Sequence, residues 1–232
     1  AGFTGAELAN VLNEAAIIAT VNKHEEIQEK DLEEAVKKVT VGLEKTSRVI
    51  SDKDKKLTAY HEAGHAIVSR YLATSLDVKE ISIIPRGVAG GYTMYKTNED
   101  KFYISKTEME ERLVSLLGGR VAEKVALDEI STGASNDLEV ATKLARDMII
   151  VYGMSDKIGP ISLKVDDPIE LELYGHEIED EVGKEIRRLL DTAYSRAMQI
   201  LIANRDKLEA VANALLQKET ITQEEFEEFF KV

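Results

Sequence analysis

Apolar residues recur at intervals of three and four along most of this chain, the spacing that turns one face of a helix toward a core. Leu8, Val11, Leu12, Ala15, Ile18 and Ala19 define a first helix over residues 4–22, with Thr4 as its N-cap. A second helix is expected around residues 30–39, after a short linker over 22–29. In that linker His24 reads as a solvated surface residue without a partner. Two such helices are too small for a sufficient core and must lean on something else.

The polar run over residues 44–56 reads as a linker or domain boundary leading into a helix over 54–76. Val78 to Ile84 is β-branched and partly alternating, which predicts a strand ended by Pro85-Arg86-Gly87. A glycine turn through Gly90-Gly91 leads to a second strand over 92–95, and these two form the only β region expected. Beyond Ser105 the pattern is helical. One helix carries Met109, Leu113, Leu116, Leu117, Val121 and Val125, with Ser105 or Thr107 as cap. Gly118-Gly119 within it costs about 1 kcal/mol each relative to alanine and so suggests close packing against another backbone. Asn136 with Glu139 resembles a capping box for the next helix, which ends at Tyr152-Gly153. Residues 154–175 look irregular. Helices are expected over 177–203, over 205–216 and from Thr222, with Glu225 as its capping partner. The fold class is therefore mainly α with a small β-sheet.

Composition narrows the chemistry. The 232 residues include no cysteine, so disulfides, thiolate nucleophiles and cysteine-held metals are excluded. A net charge of −13 argues against general nucleic-acid binding. No run approaches the eighteen or so apolar residues of a membrane span, and no signal peptide is legible, so the chain itself is expected to be soluble. It begins inside an ongoing pattern at Ala1-Gly2-Phe3, as a piece of a longer protein would.

Any metal must therefore sit on His, Asp or Glu, and His61-Glu62-Ala63-Gly64-His65 offers a site. On a helix, positions four apart lie about 40° from each other and one turn along, so His61 and His65 can reach one point. Two neutral imidazoles suit zinc, and the adjacent Glu62 can hold a water without being a ligand, the H-E-x-x-H arrangement of zinc peptidases. Zinc would lower the pKa of its water and polarise a carbonyl, and Glu62 would serve as general base and then general acid. Gly64 would let another element pack close to the helix. A third ligand is required, and the metzincin continuation is absent, because Val68 and Tyr71 stand where its glycine and histidine would fall. The residues leave Glu123, Asp128, Glu129 and Asp137 as carboxylate candidates, with His176 a weaker one.

Four motifs in order resemble the peptidase domain of the FtsH family, the membrane-anchored, ATP-dependent AAA+ zinc proteases. They are His61-Glu62-Ala63-Gly64-His65, Ile83-Ile84-Pro85-Arg86-Gly87, Leu117-Gly118-Gly119-Arg120-Val121-Ala122-Glu123, and Ser131-Thr132-Gly133-Ala134-Ser135-Asn136-Asp137-Leu138. Phe3 to Asn10 and Asn13 to Ala16 look like the end of the family's helical AAA+ lid. The resemblance spans essentially the whole chain. It implies Asp137 as third zinc ligand, with Glu123 in a supporting role, and Glu62-activated zinc-bound water attacking a peptide carbonyl. It implies residues 1–42 as lid and 43–232 as peptidase domain, arranged in a ring of six. It places unfolded or membrane-protein substrates along the sheet edge, with Gly91, Tyr92 and Thr93 as candidate contacts by strand addition. In the family Gly5 and Ala6 would lie near a nucleotide, yet this sequence has no G-x-x-x-x-G-K-[ST] phosphate loop, so ATP and Mg2+ would belong to a missing ATPase module. The location implied is a bacterial inner membrane facing the cytoplasm, or an organelle membrane. Two rival readings are a non-catalytic assembly module with a structural zinc bound by four protein ligands, and an ATPase regulatory domain.

Overall fold

The computed structural model describes residues 3–45, 50–74, 77–96, 101–164 and 175–231, without the side chains of residues 175 and 176. It opens with an antiparallel helix pair, α1 (Gly5–Val21) and α2 (Glu29–Thr40). Thr4 caps α1 as its sequence suggests, in a reciprocal box with Glu7. Val11, Ala15 and Ala35 form a small core between the helices.

His24 departs from the expectation of a free surface residue. The carboxylate of Asp31 is fully buried and needs donors, and the short turn supplies them. His24 Nδ1 lies 2.8 Å from Asp31 Oδ2, joined by Asn22 Nδ2 at 3.2 Å and the Gln28 amide at 3.0 Å. His24 thus ties the loop to α2.

The pair leans on the rest of the chain through charge. Buried Arg86 donates to Glu34 at 2.7 and 3.2 Å and to Glu44 at 3.1 Å. Lys37 reaches Glu80 at 2.7 Å. Around them the backbone of 43–45 meets that of 85–87, the Gly87 amide donating to Leu43 and the Lys45 amide to Pro85. Gly42 has φ 107° there, and a β-carbon on it would stand 2.9 Å from Gly87 Cα.

Helix α3 (Asp52–Arg70) starts at its Ser51 cap and stops short of the expected Leu76. The reason is Thr74, whose amide and hydroxyl both donate to Glu111 Oε2, at 2.7 and 2.6 Å, drawing the chain off the helix axis. Every residue from Ala59 to Ser69 is buried. A helix buried on all sides lies in the middle of a domain. Here α4 (Lys106–Leu127) crosses it, with the sheet and the C-terminal helices also packed against it. Gly64 and Gly118 mark the crossing, since a β-carbon on Gly64 would lie 2.4 Å from Ala122 Cβ and 2.6 Å from the Gly118 carbonyl oxygen.

The sheet has three antiparallel strands in the order β2-β1-β3, where β1 is Val78–Ser82, β2 Tyr92–Tyr95 and β3 Thr220–Thr222. Ile81 pairs with Thr93 on one side and Ile221 on the other. β3 corrects the expectation of a two-stranded region: three residues are too few to show alternation. The left-handed Glu219 (φ 61°) turns the chain back into the sheet. Thr222 then caps a short α8 (Gln223–Glu228) with Glu225, as expected.

Between α4 and β3 lie α5 (Ser135–Ile150), α6 (Gly175–Ala203) and α7 (Arg205–Lys218). Asn136 is not a cap. A tight turn over Thr132–Ala134, capped by Ser131, runs straight into α5 and places Asn136 inside the helix. Leu113, Val121, Met148, Leu201, Leu208 and Leu215 are among the side chains that close the main core around α3. Among the described residues no helix is long and apolar enough to cross a membrane.

Candidate metal centre and active site

His61 and His65 project from the buried middle of α3 toward Asp137, in the first turn of α5. His61 Nε2 and His65 Nε2 are 3.1 Å apart, and Asp137 Oδ2 lies 3.1 Å from the first and 3.3 Å from the second. Two ligands held about 2.05 Å from a tetrahedral zinc stand about 3.3 Å apart, so this triangle has the size of one face of a zinc site.

Both outer nitrogens are assigned by their partners. His65 Nδ1 donates to the Ser115 carbonyl at 2.8 Å, an oxygen that can only accept. His61 Nδ1 donates to Glu123 Oε1 at 2.7 Å. In the neutral rings Nε2 is therefore a bare lone pair on each, and both lone pairs face a carboxylate oxygen. Three acceptors converging without a shared proton call for a cation. The residues fit zinc.

In the metal-free chain a proton takes that role. Burial works to lower the His61 pKa, but its bonds to Asp137 and Glu123 override this and push it up to about 10. Burial likewise works to raise Asp137, and the two imidazoles outweigh it, holding the carboxyl well below the usual range.

Glu123 is fully buried and does not join the triangle. Its Oε1 receives His61 and its Oε2 receives the Ser131 amide at 2.7 Å, so it fixes the ring and the loop that delivers Asp137. Burial opposes its ionisation, yet these donors keep its pKa lowered. Asp128 pairs instead with Lys124 at the end of α4, and Glu129 is exposed. The side chain of His176 lies outside the described residues.

Glu62 does not join the triangle; it is 7% exposed and packs against Thr93 and Gly91. Burial raises its pKa, with His65, His61 and a hydrogen bond from Thr93 partly opposing the shift. Gly91 precedes the outer strand β2 beside it, and Tyr92 and Thr93 begin that strand. A β-carbon on Gly91 would stand 3.0 Å from Glu62 Cγ and 2.7 Å from the Ser82 carbonyl oxygen. Tyr92 donates to Glu80 at 2.6 Å. Gly5 and Ala6, at the start of α1, are exposed.

The Ser115 carbonyl escaped sequence reasoning because it leaves no side-chain signal. Thr93 was expected as a backbone contact along the strand edge, whereas its hydroxyl reaches Glu62. Gly119 was legible only as a close-packing glycine, whereas the neighbours it makes room for are the metal-facing imidazoles.

Residues 48–229 match Peptidase family M41. The chain belongs to that family. M41 membership accounts for a mainly helical domain holding the His-Glu-x-x-His helix against a small sheet, and makes the chain a zinc metallopeptidase domain of FtsH type. It is 53% identical to an ATP-dependent zinc metalloprotease FtsH of Caldicellulosiruptor bescii, across 97% of this chain and 38% of that protein. It is 49% identical to FtsH 1 of Thermoanaerobacter sp., across 99% of this chain and 39% of the relative. FtsH 2 of Alkaliphilus metalliredigens is 48% identical, across 99% of this chain and 34% of the relative. The chain thus spans less than two fifths of the length of these M41 relatives.

Proposed function

We propose that this chain hydrolyses peptide bonds in unfolded polypeptides, with His61, His65 and Asp137 holding one zinc ion and Glu62 moving the proton. The observation that carries the reading is the triangle of three acceptor atoms, 3.1 to 3.3 Å on a side, beside a buried carboxylate with a raised pKa. Zinc, when bound there, supplies Lewis acidity that polarises the scissile carbonyl and makes water a competent nucleophile at neutral pH.

The chain's own residues do the rest. Glu62 accepts the water's proton on a carboxylate oxygen as the nucleophile attacks, then delivers it to the departing amine nitrogen. Its upward-shifted pKa suits both halves of that task, since the acid form persists nearer to neutral pH. Glu123 and the Ser115 carbonyl hold the imidazoles in the tautomers that present Nε2. Gly91, Tyr92 and Thr93 offer the outer edge of β2 to a substrate strand, so that backbone pairing, not side-chain readout, aligns the peptide.

Within the longer protein, residues 1–42 are the end of an AAA+ lid and residues 43–232 the peptidase domain. Gly5 and Ala6 would adjoin a nucleotide whose phosphates and Mg2+ are held by other parts of that protein. ATP-dependent unfolding, a homohexameric ring and anchorage in a bacterial inner membrane with the protease facing the cytoplasm complete the proposal; an organelle membrane fits the same logic.

The test is hydrolysis of casein, an unfolded substrate that needs no motor. Activity should vanish with a strong chelator and return on adding stoichiometric zinc. Hydrolysis indifferent to a chelator that demonstrably strips the metal would contradict the proposal.

A further inference from the structure

Glu62 sits in the core with one hydrogen-bond donor to its carboxylate among the described residues. Thr93 Oγ1 lies 2.9 Å from Glu62 Oε2 and 3.2 Å from the Glu62 carbonyl oxygen. Both partners are acceptors, so the hydroxyl proton points at the glutamate. The geometry follows from period. Thr93 and Tyr95 are two apart on β2 and share a face, and both turn toward α3. There Tyr95 meets Ser69, whose hydroxyl lies 3.0 Å from its own, while Thr93 meets Glu62. Glu62 and Ser69 are seven apart, two turns along one face of α3.

Gly91 completes the clamp. Its α-carbon approaches so closely that a β-carbon would stand 3.0 Å from Glu62 Cγ, which confines the stem while Thr93 holds one carboxylate oxygen. The remaining oxygen has no hydrogen-bond donor of its own among the described residues, which leaves it available.

We propose that Thr93 is a positioning residue for the general base: its hydroxyl fixes the Glu62 carboxylate so that one oxygen stays anchored and the other is presented to the water. This rests on the assignment of Glu62 as the base. It also divides the labour of β2, with the backbone facing substrate and the Thr93 side chain facing the base. The strand a substrate would pair with is therefore the strand that holds the base.

The test compares Thr93→Val, Thr93→Ser and Glu62→Gln in the zinc-loaded protein, on casein and on a fluorogenic peptide derived from it. Val keeps the β-branched shape that suits a strand and removes only the hydroxyl. Because hydrogen bonds to charged groups are the stronger class, Thr93→Val should lower kcat about tenfold to a hundredfold, with KM within about twofold of wild type. Zinc content and melting temperature should stay at wild-type values, and Thr93→Ser should restore most of kcat. A Thr93→Val enzyme with raised KM and unchanged kcat would overturn the proposal in favour of a substrate contact. Loss of zinc or of folding in Thr93→Val would overturn it in favour of a structural role, as would failure of Thr93→Ser to restore kcat. If Glu62→Gln itself retains activity, the base assignment fails; if only Thr93→Val is normal, the positioning role fails and the base stands.

Discussion

Gly119 lies directly against His61. A β-carbon at position 119 would stand 2.5 Å from both Cε1 and Nε2 of that ring, and 2.6 Å from His65 Nε2. The rings have little room to yield, because Glu123 and the Ser115 carbonyl fix their far sides.

Gly119→Ala is therefore expected to abolish or greatly weaken zinc binding, although alanine is the better helix former by about 1 kcal/mol. Zinc titration against a buffered chelator should show affinity reduced at least about tenfold, with the far-ultraviolet circular dichroism intact. Wild-type affinity would show that the rings can move aside.

Glu123 connects the metal-facing ring to the loop that carries Asp137. Glu123→Gln keeps the shape but offers one oxygen where two donors, His61 Nδ1 and the Ser131 amide, need an acceptor each. Loss of such a supporting partner reduces metal affinity by about 10- to 100-fold, which the same titration would read.

The α3–α4 crossing has no room for a side chain at Gly64. Gly64→Ala would press a methyl onto Ala122 and the Gly118 carbonyl, at 2.4 and 2.6 Å. Overpacking of this kind costs about 1–3 kcal/mol, or a melting temperature lower by about 2–4 °C per kcal/mol in a domain of this size. A differential scanning measurement showing no loss would place the helices further apart than described.

Zinc binding should strengthen as pH rises. Without a cation His61 stays protonated up to about pH 10, and the metal needs the lone pair that this proton occupies. Below the pKa the deprotonated fraction grows about tenfold per pH unit, so apparent zinc affinity should rise with about that slope between about pH 6 and 8. About one proton should be released per zinc bound. A flat profile would mean that His61 is already neutral in the metal-free chain.

Much of this site is legible in the sequence, because spacing and residue type carry it. His61 and His65 had to share a helix face, and the boundaries at Thr4, Ser105 and Thr222 follow from capping chemistry that acts over three residues. What stayed hidden depends on long-range partners. The end of α3 is set by Glu111, some forty residues away, and β3 exists only because β1 has an open edge. His24 acquires a role only once Asp31 is buried. The choice among Glu123, Asp128, Glu129 and Asp137 as companion to the histidines could not be made from periodicity. The motif resemblance singled out Asp137, and the folded chain is what brings its Oδ2 within 3.3 Å of both imidazoles.

If His61, His65 and Asp137 hold zinc while Glu62 moves the proton, zinc content and casein hydrolysis must part company in Glu62→Gln. Measured together in the wild type and the variant, zinc should be one per chain in both proteins, with hydrolysis lost by at least about a hundredfold in the variant. A zinc-loaded Glu62→Gln protein that cleaves casein at the wild-type rate would contradict that role of Glu62.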